Sequence, residues 1–84
     1  MSVSRKERER MTRESEILSA AERLFTSKGF EGTTMEEIAK ESEFTKRTVY
    51  QYFGSKENLF YAVILSGIKR MFSYIEEEVE AGKN

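Results

Sequence analysis

The side chains best suited to recognising another molecule are concentrated between Thr45 and Lys56. Arginine can donate two hydrogen bonds to guanine O6 and N7, and glutamine can pair with adenine N6 and N7. A threonine hydroxyl can bond to a base edge or contact the thymine methyl group. Side chains of these types follow one another here: Lys46, Arg47, Thr48, Tyr50 and Gln51. Their chemistry predicts recognition of base edges, provided that a helix presents them on one side.

Helical spacing would divide these side chains between two faces. Thr45 is a good N-cap residue, and a helix that starts there would run to Phe53. With a rotation of about 100° per residue and Val49 facing inward, Arg47 and Gln51 point outward. The remaining polar residues lie between these directions: Thr48 and Tyr50 flank the outer side, and Lys46 and Tyr52 border the inner side.

A second short helix precedes this one and completes a helix-turn-helix plan. Thr34 and Glu37 form a capping box, which starts a helix that ends near Ser42. In such a unit, here about residues 33–53, the second helix lies in the major groove with its N-terminal residues at base edges. The pattern therefore predicts a DNA-binding unit with a recognition helix at about residues 45–53.

Three predicted helix N-termini around this unit are suited to binding phosphate. The first backbone N–H groups after Thr34, Thr45 and Ser55 have no partner within their own helices. Lys56 lies at the third of these N-termini and adds a full positive charge. The spacing therefore predicts contacts to the DNA backbone beside the base-contacting residues.

Two longer amphipathic helices are predicted, one on each side of this unit. In residues 12–28, apolar side chains recur at helical spacing, and Gly29 suits the left-handed position after the last turn. In residues 56–80, apolar side chains recur every three or four positions. The expected fold is therefore all-α: a three-helix helix-turn-helix bundle with a long fourth connecting helix.

The apolar stripe of the fourth helix is longer than three short helices can cover. We expect residues 12–66 to form the DNA-binding domain, with only the first half of the stripe in its core. Residues 67–84 would then lead to a C-terminal domain outside this chain, which would make the chain a fragment. The alternative is a helical protein–protein interaction module that uses this amphipathic helix.

Residues 1–11 are predicted to form a flexible basic arm. Residues 1–13 contain five basic and two acidic residues. Ser4 and Glu7 have the spacing of a capping box, so an early helical turn is as well supported as a disordered arm. The sequence leaves open whether this segment contacts DNA.

Composition argues against several other kinds of function. The chain has no Cys and no His, so a thiolate or imidazole metal site is impossible and the usual base of nucleophilic catalysis is missing. We therefore expect no enzyme activity, no metal and no cofactor.

No apolar run is long enough to cross a bilayer and the N-terminus lacks a signal sequence, which predicts a cytoplasmic location without membrane contact. The net charge of −1 argues weakly against nucleic acid, but the glutamates cluster at the C-terminal end: Glu76, Glu77, Glu78 and Glu80.

The segment Ile17–Phe60, ILSAAERLFTSKGFEGTTMEEIAKESEFTKRTVYQYFGSKENLF, resembles the DNA-binding domain of the tetracycline-repressor (TetR) family of bacterial regulators. The most specific piece is TVYQYFGSKENL, residues 48–59. The resemblance implies a homeodomain-like fold and a transcriptional regulator, usually a repressor, that binds a palindromic operator as a homodimer. It also implies a C-terminal domain that dimerises and binds a small-molecule inducer.

Positions that match the family's motif imply roles for particular side chains. The implied phosphate contacts fall on Thr34, Tyr50 and Lys56. The implied base contacts include Tyr52, whereas helical geometry favours Gln51, so both are kept as candidates. The predicted DNA-binding residues are Thr33, Thr34, Thr45, Lys46, Arg47, Thr48, Tyr50, Gln51, Tyr52 and Lys56.

One departure from the family's pattern lies in the turn between the two short helices. The family usually has Ala-Gly or a similar pair where this chain has Ser42-Glu43. Glu43 would have to adopt a backbone shape that Gly takes more easily. Its carboxylate would also lie near the DNA side, which predicts weaker non-specific binding.

Overall fold

The computed structural model describes residues 3–82, which form four helices joined by short turns. The helices are α1 (Arg5–Lys28), α2 (Met35–Ser42), α3 (Lys46–Phe53) and α4 (Lys56–Gly82). The all-α prediction is confirmed, and the starts and ends of α2 and α3 agree with those predicted. Each helix contacts two others: α1 and α3 both contact α2 and α4.

The start of α1 differs from the prediction. The helix begins at Arg5 rather than near residue 12, so residues 5–11 belong to α1 and not to an arm. Ser4 is its N-cap, and the Ser4 hydroxyl accepts a hydrogen bond from the backbone N–H of Glu7 at 3.1 Å. Ion pairs one turn apart add support along these exposed turns: Arg5–Glu9 at 3.4 Å, Arg10–Glu14 at 3.6 Å and Arg13–Glu9 at 3.9 Å.

A small core holds the four helices together. Each helix contributes one aliphatic side chain that is completely buried, namely Ile17, Ile38, Val49 and Leu59. Ala20 and Ala21 of α1 are buried as well, because small side chains let the neighbouring helices approach closely. The predicted inward orientation of Val49 is confirmed, and with it the outward orientation of the opposite side of α3.

Three phenylalanine rings join the end of α1 to α4. The ring centroids of Phe25 and Phe30 lie 5.9 Å apart across the turn at Gly29, which has a positive φ of 80°. Phe60 of α4 meets both rings at steep angles, with centroid distances of 5.2 and 5.1 Å. This cluster fixes the turn after α1 against the first two turns of α4.

The predicted capping box fixes the start of α2. The Thr34 hydroxyl accepts a hydrogen bond from the Glu37 backbone N–H at 3.1 Å, and the Glu37 carboxylate accepts one from the Thr34 N–H at 3.0 Å. Lys28, at the end of α1, pairs with the same carboxylate. The Lys28 ammonium, followed by the Thr34 N–H, holds the pKa of Glu37 below its ordinary value. Two helix ends are thus joined through one carboxylate.

The distal half of α4 extends beyond this core. From Ile64 onward its large apolar side chains are exposed: Ile64, Leu65, Ile68, Met71, Phe72, Ile75 and Val79. The other three helices leave this part of the stripe uncovered. Within residues 3–82, no helix is both long enough and apolar enough to span a membrane.

Candidate nucleic-acid interface

The outer side of α3 presents polar side chains to solvent. Lys46, Arg47, Tyr50 and Gln51 are exposed, and Thr48 is half-buried. Because Val49 is buried in the core, the opposite side of α3 must face outward. The structure therefore brings together the predicted base-contacting residues on one short helix that has no acidic residue.

The N-terminus of α3 is held by a threonine pair. The Thr45 hydroxyl accepts a hydrogen bond from the Thr48 backbone N–H at 3.1 Å, as expected of an N-cap. The two hydroxyl oxygens, of Thr45 and Thr48, are 2.9 Å apart. Both threonines thus define the first turn of α3, where Thr45 is exposed and Thr48 is half-buried.

Glu43 adopts the backbone conformation that the turn demands. Its φ of 63° and ψ of 30° lie in the left-handed region, as the comparison with the family's usual glycine predicts. The Glu43 N–H donates toward the carbonyls of Ala39 and Lys40, and the Phe44 N–H donates to Ala39 at 2.9 Å. Phe44 packs against the core and anchors the turn. The angle between α2 and α3 therefore depends on a non-glycine residue in a strained conformation.

Replacing Glu43 with glycine should raise the free energy of unfolding by up to about 1 kcal/mol, because glycine adopts positive φ without steric cost. Urea unfolding followed by circular dichroism measures the change. Glu41→Gly is the matched control, since Glu41 lies inside α2 in ordinary helical geometry. The control should lower stability by about 1 kcal/mol. Changes of the same sign in both variants would contradict the proposed strain at Glu43.

Lys46 is not free in this conformation. Its ammonium lies 3.3 Å from a carboxylate oxygen of Glu36 on α2 and 6.0 Å from the centroid of the Tyr50 ring. The pair is exposed, so its contribution to stability is small. Its effect is to hold the Lys46 side chain on the α2 side of α3.

Tyr52 lies at the border between the core and the surface. Its ring is half-buried and packs against the core, and the Arg13 guanidinium of α1 donates to its hydroxyl oxygen at 3.5 Å. This contact raises the pKa of Arg13, which is charged in any case. Tyr52 therefore connects α1 with the C-terminal end of α3, whereas Gln51 is fully on the outer side.

The prediction that Thr33 contacts DNA is wrong. Thr33 is 0% exposed, so no part of it can reach a ligand. Its hydroxyl donates to the carbonyls of Gly29 at 2.8 Å and Leu24 at 3.2 Å. Thr33 instead closes the end of α1 and supports Thr34, which is exposed at the N-terminus of α2.

Lys56 makes internal contacts that sequence spacing did not reveal. Its ammonium donates to the carbonyls of Phe30 at 2.8 Å and Thr33 at 3.0 Å, and it lies 4.2 Å from the centroid of the Phe30 ring. These partners are more than 20 residues away in sequence, so no local pattern connects them. Lys56 thus joins the start of α4 to the turn before α2, and its predicted phosphate contact stays a prediction.

The described residues contain no cluster of His, Cys, Asp or Glu side chains able to hold a metal ion. Their buried side-chain polar atoms all have hydrogen-bond partners, so no orphaned donor or acceptor marks a small-molecule site there. Among the predicted site residues, those on the outer side of α3 form an exposed polar face.

Comparison with known proteins agrees with this geometry. Residues 17–63 match the family described as "Bacterial regulatory proteins, tetR family". The chain is 40% identical over 68 residues to the HTH-type transcriptional regulator YfiR of Bacillus subtilis, a match that covers 81% of this chain and 33% of YfiR. It is 34% identical over 62 residues to the HTH-type transcriptional repressor AcnR of Corynebacterium glutamicum, covering 74% of this chain and 33% of AcnR.

A solved structure shares the arrangement of the helices. A putative TetR-family transcriptional regulator from Mesorhizobium loti superimposes with a TM-score of 0.80 and 40% identity, over 89% of this chain and 35% of that protein. The chain therefore belongs to the TetR family of bacterial regulatory proteins. It spans about a third of the length of the curated relatives described above.

Proposed function

We propose that the chain binds double-stranded DNA sequence-specifically by placing α3 in the major groove, and that it thereby represses transcription. The observation that supports this proposal most directly is the exposed outer side of α3, where Arg47 and Gln51 project away from buried Val49. In a helix-turn-helix unit this side meets the base edges. Arginine and glutamine supply the bidentate pairing that distinguishes guanine and adenine.

The backbone contacts in this proposal come from helix N-termini and hydroxyl groups. Thr34 and Thr45 are exposed N-cap residues at the starts of α2 and α3, where the helix dipole favours an anion. Tyr50 is exposed beside them and adds a phenol that can donate to a phosphate oxygen. These contacts would set the orientation of α3 without adding sequence preference.

The operating unit in this proposal is a homodimer in the cytoplasm. Two copies of α3 in successive major grooves, about 34–36 Å apart, would recognise a palindromic operator. The exposed distal half of α4 would pack against a further domain that dimerises and binds a small-molecule inducer. The length of the relatives supports such a domain, because this chain covers only about a third of them. The proposal gives the chain no catalytic step.

Selection of bound duplexes from a random pool tests the proposal, using a dimeric form of the protein. Arg47→Ala should weaken binding to the selected site by about 1–3 kcal/mol and relax the preference at one base position. Arg23→Ala is the matched control, because Arg23 is an exposed arginine of α1 that pairs with Glu41 at 3.3 Å. A selected pool without a common sequence, or equal affinity of both variants for every duplex, would contradict base recognition by α3.

A second candidate is a protein–protein interaction module that uses the distal half of α4. The exposure of Phe72, at 57%, and Ile75, at 47%, favours it. Binding to a protein that depends on these two side chains, and that neither salt nor DNA affects, would support this candidate. The polar side of α3 has no role in it, so Arg47→Ala distinguishes the two functions.

A further inference from the structure

The helix-turn-helix unit has no excess positive charge. Residues 33–56 contain four basic side chains, Lys40, Lys46, Arg47 and Lys56, and four acidic ones, Glu36, Glu37, Glu41 and Glu43. In addition, the Lys46 ammonium pairs with Glu36, and the Lys56 ammonium donates to two backbone carbonyls. Neutralisation of phosphates by cations supplies most of the affinity of a protein for DNA. Cations outside residues 33–56 would therefore add to the phosphate contacts that this unit can make.

The first turns of α1 hold the positive charge that this unit lacks. Residues 5–13 contain five basic side chains and only two acidic ones, Glu7 and Glu9. By contrast, residues 14–32 and 57–82 each contain more acidic than basic residues. Because residues 5–13 are helical, their side chains have fixed directions relative to the rest of the domain.

One face of these turns is continuous with the C-terminal end of α3. Lys6, Arg10 and Arg13 recur at helical spacing, and with Tyr52 they line one groove, together with Ser4 and Glu7. The contact between Arg13 and the Tyr52 hydroxyl, at 3.5 Å, closes one end of this groove. Lys6 and Arg13 are seven positions apart in the helix, about 10 Å along its axis. The shared groove therefore places these cations beside the C-terminal end of α3.

We propose that Lys6 and Arg10 bind phosphates of the DNA strand that borders the groove occupied by α3. This inference rests on the proposed function and adds a second surface to it. The intrahelical pair of Arg10 with Glu14 does not prevent the contact, because both side chains are largely exposed and such pairs are weak. Arg13 holds the α1 face against Tyr52, and Lys6 and Arg10 provide the charge.

The salt dependence of binding tests this surface. The dimeric form of the protein is titrated at several KCl concentrations into a fluorescently labelled duplex of about three helical turns that carries the selected site. The double variant Lys6→Gln/Arg10→Gln should reduce the steepness of log Kobs against log [KCl] by about 1.8 for each bound copy, since each phosphate contact contributes about 0.9. It should leave the base preferences of the selected site unchanged, because phosphate contacts carry no sequence information.

The double variant Arg23→Gln/Lys69→Gln is the matched control, because it also removes one ion-paired arginine and one exposed lysine. Its salt dependence should equal that of the unaltered chain. Circular dichroism verifies that α1 stays helical, which glutamine favours. An unchanged slope in the Lys6→Gln/Arg10→Gln variant, or an equal reduction in both double variants, would mean that Lys6 and Arg10 do not bind phosphates. If Arg47→Ala still weakens binding, this result overturns only the α1 surface, formed by Lys6 and Arg10, and the proposed function stands. Failure of the unaltered dimeric protein to bind any duplex overturns the proposed function, and the α1 surface with it.

Discussion

Replacing Ile38 with alanine should lower the free energy of unfolding by about 2–5 kcal/mol, the largest effect that we expect from a single substitution. Ile38 is 0% exposed and belongs to the one cluster to which all four helices contribute. The alanine variant loses the transfer free energy of the removed carbons and leaves a cavity. Since a small domain has only about 5–15 kcal/mol of total stability, much of it would be lost.

The loss should also remove DNA binding, because Ile38 lies between the helices that orient α3. Urea unfolding and duplex titration measure the two effects on the same samples. Ile64→Ala is the matched control, since Ile64 is an isoleucine of α4 that is 43% exposed. The control should change the stability of the chain by less than about 1 kcal/mol. Similar losses for both variants would mean that Ile38 is not the central core residue.

Replacing Lys56 with methionine should lower the free energy of unfolding by about 2–4 kcal/mol. Methionine keeps an unbranched apolar stem but cannot donate to the carbonyls of Phe30 and Thr33. Thr33 is buried, so its carbonyl would lose a partner that water cannot easily replace. Lys40→Met, at an exposed position of α2, is the control and should have little effect on stability.

Salt titration distinguishes the structural role of Lys56 from the phosphate contact predicted by sequence. If Lys56 neutralised a phosphate, Lys56→Met would reduce the steepness of log Kobs against log [KCl] by about 0.9. With its ammonium at the two carbonyls, we expect the slope of the folded variant to stay unchanged. A flatter slope together with unaltered stability would contradict the structural role.

The local features of this fold could be predicted because they depend on neighbouring residues. N-cap side chains bond to backbone groups three residues away, so Thr34, Thr45 and Ser55 identify the starts of three helices directly. The apolar period places Val49 inside and Arg47 outside without reference to the rest of the chain. The left-handed conformation of Glu43 was expected from the resemblance, because the family usually has Gly at this position.

The start of α1 was harder to predict because its first turns touch little of the core. Without an apolar period, residues 5–11 offered only the spacing of Ser4 and Glu7, which fitted an arm and a helix equally well. In the structure the Ser4 hydroxyl caps α1 at the Glu7 N–H, and ion pairs between exposed side chains follow along the first turns. These pairs give the positive charge a fixed direction, which is the basis of the proposed α1 surface.

The sequence by itself determined the class of fold, the bounds of the two short helices and the family, because each depends on local periodicity or on a contiguous motif. Only the tertiary structure decided which polar side chains are available to DNA. In the structure Thr33 is buried, and the Lys56 ammonium donates to backbone carbonyls far away in the chain. Lys46 forms an ion pair with Glu36, and the Arg13 guanidinium donates to the Tyr52 hydroxyl. These outcomes depend on how helices pack, since contacts between residues distant in sequence leave no pattern in the spacing of either one.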